Sequence, residues 1–277
     1  IEKLFENSYI LLSLPLKLLN HYKMALTINF IGGGNLAYHL TKALYTTPNV
    51  HLQQLYNRSG FTAEFEVFKT EKTTNLSSLR PANLTILAVK DEAIAPLSAA
   101  LPYQGQLVVH TSGNTPMGII APAHRAGVFY PLQSFSKTAK VHFSSVPICI
   151  EAQNPADIDK LLQPLAKRLS SKVYILNSEQ RSSLHVAAVF LNNFTNHLIG
   201  ISQQICEQHQ VPFEVLQPLL SETFTKLQKM PALEAQTGPA RRNDTQTIEN
   251  HLATLPEHYQ RIYKVITESI IHTYYGK

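Results

Sequence analysis

Thr27-Ile28-Asn29-Phe30-Ile31-Gly32-Gly33-Gly34-Asn35-Leu36-Ala37 is the stretch whose reading decides the fold. It begins as an apolar, β-branched run, passes through three consecutive glycines, and continues from Leu36 to Tyr45 with apolar residues at helical spacing. A strand that breaks through glycines into a helix leaves main-chain N–H groups unpaired at the helix start. With the positive end of the helix dipole behind them, those groups bind phosphate. The match to G-x-G-x-x-A assigns each residue a duty: Gly32 makes the tight turn, Gly34 lets backbone approach a pyrophosphate with no Cβ in the way, and Ala37 lets helix pack closely on strand. Gly32, Gly33, Gly34, Asn35 and Leu36 are therefore candidate contacts to a dinucleotide.

The second strand tests which dinucleotide. Versions of this turn that select NAD carry Asp or Glu about 20 residues on, to hold the ribose 2′-hydroxyl. Here Leu52-Gln53-Gln54-Leu55-Tyr56 ends in Asn57-Arg58-Ser59, with no acid. Arg58 can pair with a 2′-phosphate through two N–H groups, with Ser59 and Asn57 as neutral donors, so NADP is the expected cofactor. Two further strand ends, Val89-Lys90-Asp91 and Thr111-Ser112-Gly113, should face the same ligand, which adds Val89, Lys90 and Ser112. Lys90 and Asp91 equally suit an ordinary helix start, with Asp91 as the cap of a helix over Glu92 to Ala100.

Outward from this turn, short β-branched runs alternate with helical stretches to about Asn177. Strands are expected at Thr27 to Ile31, Leu52 to Tyr56, Thr73 to Asn75, Leu84 to Val89, Leu107 to His110, Gly127 to Tyr130, Pro147 to Glu151 and Val173 to Leu176, with helices in most of the gaps. Beyond Ser178 the strand signal stops. A long helix over Ser178 to Gln210, apolar almost all round between Leu184 and Ile205, should be buried on several sides. Helices over Phe213 to Met230, Thr245 to Ala253 and Pro256 to Tyr275 follow, with a polar loop from Pro231 to Asn243. The expected fold is α/β: a mainly parallel, Rossmann-type sheet over residues 24–177, then an all-helical domain over 178–277 that serves substrate binding and dimerisation. Residues 1–23 read as a leader or upstream extension outside the fold, since Met24 directly precedes the first strand. The apolar part of that leader, Tyr9 to Leu19, is interrupted by Pro15 and Lys17, is too short to span a bilayer and lacks a small-x-small cleavage site.

Composition narrows the function classes. The chain has 277 residues and an apolar fraction of 44%, enough for a core. Its 24 basic and 19 acidic residues are scattered, with no basic run beyond Lys167-Arg168 and Arg241-Arg242, so neither a nucleic-acid nor a membrane partner is expected. Two cysteines without a C-x-x-C suit a reducing, cytoplasmic setting. Twelve histidines with no H-x-x-x-H or H-E-x-x-H spacing give no metal site.

With the turn, the Asn-Arg-Ser tip and the Leu87-Ala88-Val89-Lys90-Asp91 strand end in view, the N-terminal half resembles pyrroline-carboxylate reductase and deazaflavin-dependent NADP reductase. The C-terminal half is similar to a narrower family. Its carriers are His185 to Asn193, the loop Thr237-Gly238-Pro239-Ala240-Arg241-Arg242-Asn243-Asp244, Thr247 and His251, together with Phe129-Tyr130-Pro131-Leu132-Gln133-Ser134-Phe135. That family consists of NADP oxidoreductases that pair a Rossmann-like domain with a domain of unknown function similar to the helical domain of phosphogluconate dehydrogenase. Two positions depart from its pattern: Tyr130 stands where His is expected, and Asn243 where Gly is expected. Asn tolerates positive φ as Gly does, so the loop geometry can survive.

The resemblance implies an oxidoreductase that moves hydride between NADP(H) and a small polar carbonyl or imine substrate in a cleft between the domains. His185 and Asn193 are the family's positions on the long helix, although at 100° per residue Asn192 and Asn196 lie nearer the His185 face. His110 or His185 is expected to act as proton donor, and Arg242 to grip a substrate carboxylate. Asp244 is expected mainly to cap the helix after it. The apolar helix implies a homodimer through the helical domains. A non-catalytic NADP-binding sensor or assembly protein is the alternative, since no Lys-x-x-x-Asn pair of the hydroxyacid dehydrogenases is present from Met24 onward.

Overall fold

A computed structural model describes residues 25–276, so the expected leader over residues 1–23 lies outside the described residues. Eight strands form one sheet: β1 (Leu26–Ile31), β2 (Val50–Tyr56), β3 (Glu71–Thr73), β4 (Leu84–Leu87), β5 (Leu107–His110), β6 (Arg125–Pro131), β7 (Ile148–Ala152) and β8 (Val173–Ile175). Their order is β3-β2-β1-β4-β5-β6-β7-β8, and every pair is parallel except β6 with β7. The chain runs one way from β1 to β3 and the other way from β4 onward, so a crevice opens between the carboxyl ends of β1 and β4, where such sheets bind ligands. All four residues of β4 and all four of β5 are buried, as expected for strands covered on both faces.

Helix α1 (Asn35–Tyr45) crosses one face of the sheet and buries Ala37, Leu40 and Leu44, each Leu stabilising the fold by about 2 kcal/mol. Helix α2 (Asp91–Ala99) follows β4, and a helical segment α3 over 155–169, with a π-helical turn at Ile158–Leu162, follows β7. The structure corrects three local expectations. Helices do not fill most of the gaps: the connections β2 to β3, β3 to β4, β5 to β6 and β6 to β7 hold only short 3₁₀ turns. Strand β3 ends at Thr73, because the Asn75 side chain accepts the Ser77 N–H at 3.1 Å and starts a turn. Helix α2 begins at Asp91, so the cap position belongs to Lys90, and Asp91 with Glu92 instead places negative charge in the first turn.

The described chain divides into two compact units at Ala187/Ala188. The second contains helices α5 (Thr195–Gln208), α6 (Gln217–Leu227), α7 (Thr245–Thr254) and α8 (Glu257–Tyr275), and no strand among its described residues. Helix α4 (Ser178–Ala188), a π-helical turn (Val189–Phe194) and α5 occupy the stretch expected as one long buried helix. That expectation of burial is corrected: Phe190 is 65% and Leu191 75% exposed, and no residue of the π-helical turn or α5 is buried. The π turn also changes the angular step, so counting faces from His185 at 100° per residue fails beyond Ala188. No helix among the described residues is long and apolar enough to cross a membrane.

Candidate active site

Gly32 sits at φ +134°, and a Cβ there would stand 2.1 Å from the Ala88 carbonyl oxygen, so only glycine lets β1 turn beside β4. Hydrogen bonds from Gly32 N–H to Tyr56 O (2.9 Å) and from Ala88 N–H to Ile31 O (2.8 Å) tie this turn to both neighbouring strands. Gly34 precedes α1 with extended backbone and no atom within 4 Å of the place a Cβ would take. The first intrahelical bond is Tyr38 N–H to Gly34 O at 2.9 Å, which leaves the N–H groups of Asn35, Leu36 and Ala37 outside the helix ladder. No acidic residue stands in the first turn to compete with an anion.

At the tip of β2, Asn57 builds the turn that displays its neighbours. Its N–H reaches Thr73 O at 3.2 Å, its carbonyl accepts Gly60 N–H at 3.0 Å, and its side-chain amide donates to Gly60 O. Gly33 packs against that amide, since a Cβ on it would lie 2.7 Å from Asn57 Nδ2. Arg58 and Ser59 are left exposed at the rim. The eleven residues named above for the cofactor, from the glycine turn, the β2 tip, Val89, Lys90 and Ser112, all line one cleft of about 940 Å³. That volume is at the upper end for a small-molecule or cofactor site. Open space at Gly34, unpaired amides and an exposed arginine rather than a carboxylate at the tip of β2 are the features a dinucleotide with a 2′-phosphate fits.

The loop after β6 borders the same helix start. Because β7 returns antiparallel, residues 132–147 stay at the carboxyl ends of the parallel strands, where Asn35 Nδ2 donates to Phe135 O at 3.1 Å and His39 Nε2 lies 2.9 Å from Ser136 O.

Beyond Ser112, three side chains to which the sequence assigned no role, Arg181, Glu151 and Tyr130, hold α4 and His185 in place. Arg181 is 1% exposed; one guanidinium nitrogen pairs with Glu151 and another donates to Thr115 O at 2.5 Å. Glu151 also accepts the Ser178 N–H at 2.9 Å, so the pair fastens the start of α4 to β7. One turn further along α4, His185 Nδ1 lies 3.2 Å from the Tyr130 hydroxyl. Gly113 makes room for both rings: a Cβ on it would stand 2.7 Å from His185 Nδ1 and 2.7 Å from Tyr130 Cζ. Burial pushes the Tyr130 hydroxyl up to about 12, so it remains a protonated donor.

His110 has a different environment. It is fully buried at the end of β5, its Nδ1 accepts the Ser112 N–H at 3.2 Å, and burial together with the nearby Arg181 charge lowers its pKa to about 4. At neutral pH it is an uncharged part of the strand end that holds Ser112. The sequence signal available for the missed residues was faint: Tyr130 shows only as a departure from a family pattern, and nothing in a helix of ordinary composition marks Arg181.

The remaining named residues belong to the helical unit. Asn193 is exposed on the π-helical turn, as is Asn192 beside it. Arg242 is exposed at the end of the short helix Pro239–Arg242, which Gly238 introduces at φ +104°. Asn243 adopts the left-handed conformation at φ 54°, and Asp244 caps α7 by accepting the Thr247 N–H at 3.1 Å and its hydroxyl at 2.8 Å. These Thr247 bonds hold the Asp244 carboxyl below the usual range. An apolar hollow of about 480 Å³ within this unit is edged by Thr237 and by His251, whose Nδ1 lies 2.8 Å from the Tyr263 hydroxyl. No group of three or more His, Cys, Asp or Glu residues able to hold a metal occurs among the described residues.

Residues 146–270 match a family model described as a domain of unknown function, DUF2520. Among curated proteins the sequence has no match. Two solved structures share the fold at low identity. The reductive aminase from Aspergillus terreus, solved with NADPH and ethyl levulinate, is 13% identical with a TM-score of 0.68 over 91% of this chain and 95% of that one. The 1-pyrroline-5-carboxylate reductase from Streptococcus pyogenes is 12% identical with a TM-score of 0.59 over 89% and 98%. A nearer structure is described as a "putative NADP oxidoreductase" from Bacteroides fragilis: it is 38% identical, with a TM-score of 0.79 over 90% of this chain and 99% of that one. With that identity over nearly the whole of both chains, this protein belongs to the family of NADP oxidoreductases in which a Rossmann domain is followed by a helical domain of unknown function.

Proposed function

We propose that the protein binds NADP(H) in the cleft at the glycine turn and reduces, or in reverse oxidises, a small polar carbonyl or imine compound. The observation that carries this reading is the pairing of an acid-free helix N-terminus beside Gly34 with exposed Arg58 at the tip of β2. The bound nucleotide supplies the hydride chemistry. The chain contributes phosphate binding through the α1 amides, selection of the 2′-phosphate by Arg58 and Ser59, and a proton held on His185. His185 suits proton transfer better than His110, because it is half-buried and beside Gly113, the residue after Ser112 of the cleft lining, whereas His110 is enclosed. Asn193 and Arg242 are assigned to the substrate, Arg242 through a carboxylate. A cytoplasmic setting suits the two free thiols, Cys149 and Cys206.

Calorimetry with NADPH and NADH tests the cofactor reading. Arg58→Ala should weaken NADPH about tenfold to a hundredfold and leave NADH nearly unchanged, the loss expected for charge-assisted bonds to a phosphate. An unchanged ratio removes Arg58 from the selection. Assays with NADPH against ketoacids, imines and oxidised deazaflavin test turnover, which His185→Ala and Asn193→Ala should abolish. Tight NADPH binding with no turnover on any of them would mark a sensor instead.

The protein is also assigned as a homodimer through its helical unit. Ala240 and Thr267 are the only buried residues described there, too little core to offset the entropy of ordering a helical unit of that length. Light scattering at micromolar concentration should give twice the chain mass. Leu191→Lys, harmless on an exposed monomer surface, should give single chains; a wild-type monomer would end the assignment.

A further inference from the structure

We infer that Tyr130 is a positioning residue that fixes which nitrogen of His185 carries the proton: its hydroxyl donates to Nδ1, so the proton sits on Nε2, and Gly113 is the glycine that keeps both rings in contact. The inference rests on the reading of His185 as proton donor and adds how that donor is aimed. Three observations carry it. The Tyr130 hydroxyl is 3.2 Å from His185 Nδ1 and has no other acceptor among the described residues. Tyr130 is 9% exposed, so a phenol O–H that did not donate to Nδ1 would be left nearly without a partner. Nδ1 in the neutral ring is an acceptor when Nε2 bears hydrogen, and the partner of one ring nitrogen sets the state of the other.

Three neighbours hold this geometry. Leu184, adjacent to His185 on α4, packs on the cluster of Val128, Tyr130 and Cys149. Arg181, one turn earlier, fastens the helix to Glu151. Gly113 lacks the Cβ that would push the two rings apart at 2.7 Å. The backbone there is not left-handed, so the glycine answers close approach alone. The position before Pro131 therefore serves the site through its hydroxyl, and no imidazole is needed there. Nε2 of His185 has no partner among the described residues and is free to meet a ligand with its N–H.

The test is long-range proton–nitrogen correlation NMR on the full, nucleotide-free protein at pH 8, with His185 identified by the signals lost in His185→Gln. Wild type should show His185 as the Nε2–H tautomer. Tyr130→Phe, which removes one oxygen and keeps the ring, should shift the tautomer ratio toward Nδ1–H by roughly fivefold or more, the value of one ordinary hydrogen bond. Gly113→Ala should do the same by separating the rings, and a folded Tyr130→Phe keeps the test decisive if Gly113→Ala does not fold. A wild-type ring protonated on Nδ1, or a ratio indifferent to Tyr130→Phe, overturns the inference. Because the measurement uses no nucleotide, its failure is distinct from failure of the proposed activity, which calorimetry and turnover decide.

Discussion

Gly34→Ala is expected to leave the thermal midpoint within about 2 °C of wild type and to weaken NADPH binding by about tenfold or more. The added methyl meets nothing within 4 Å, and its backbone is extended, so the folded chain loses nothing by it. The same methyl points from the residue that precedes the unpaired amides of α1, where phosphate must come into hydrogen-bond range of the backbone. A penalty of about 1.4 kcal/mol for pushing the phosphate away is already a factor of ten. Gly32→Ala is the control with the opposite signature. There the Cβ would collide with the Ala88 carbonyl oxygen at 2.1 Å and φ is positive, so stability falls first and binding falls with it. Calorimetry and thermal melts on the two variants separate a ligand-facing glycine from a fold-facing one. Equal loss of stability in both, or unchanged NADPH affinity in Gly34→Ala, would contradict this assignment of duties.

Arg181→Ala is the substitution expected to cost the fold most, about 3–5 kcal/mol, or a midpoint lower by roughly 10 °C. Removing the guanidinium leaves the Glu151 carboxylate, 14% exposed, without its charge partner, and strips the Thr115 carbonyl of its donor. Arg181→Lys should recover only part of the loss, because an ammonium cannot reach Glu151 and Thr115 with a planar fork. Arg181→Met combined with Glu151→Leu should be less destabilised than Arg181→Ala alone, since no charge is then buried unpaired. Urea unfolding of these proteins checks the ranking, and adding Arg181→Met and Glu151→Leu as single variants completes a cycle with the double variant and wild type. Additive losses across the cycle would mean that the two side chains do not act as a pair.

Much of the architecture was legible because it is written over short distances. Alternating β-branched runs placed all eight strands, with β3 misjudged by two residues where Asn75 formed a side-chain turn. Helices were expected in most of the gaps between strands, but four of the connections, β2 to β3, β3 to β4, β5 to β6 and β6 to β7, close as 3₁₀ turns. In the helical unit, Asn243 takes the left-handed geometry that its substitution for glycine allowed, and Asp244 caps its helix, both properties of one residue and its neighbours. The burial of the long helix was misread, although its extent was not, because an apolar sequence states that a face wants cover without stating whether the same chain supplies it. A π-helical turn, which depends on how the helix is held at both ends, then displaced the faces counted from His185.

The sequence by itself determined the glycine turn, the acid-free tip at Asn57-Arg58-Ser59 and the sheet-then-helices order, because each follows from local sterics, backbone hydrogen bonding or periodicity within a few residues. Only the tertiary structure decided that Arg181 meets Glu151, that Gly113 must be glycine to seat Tyr130 against His185, and that His110 is neutral with a pKa near 4. Those facts arise from burial and from contacts between residues tens of positions apart, and the energy of a charge or an imidazole depends on the surroundings that folding brings to it.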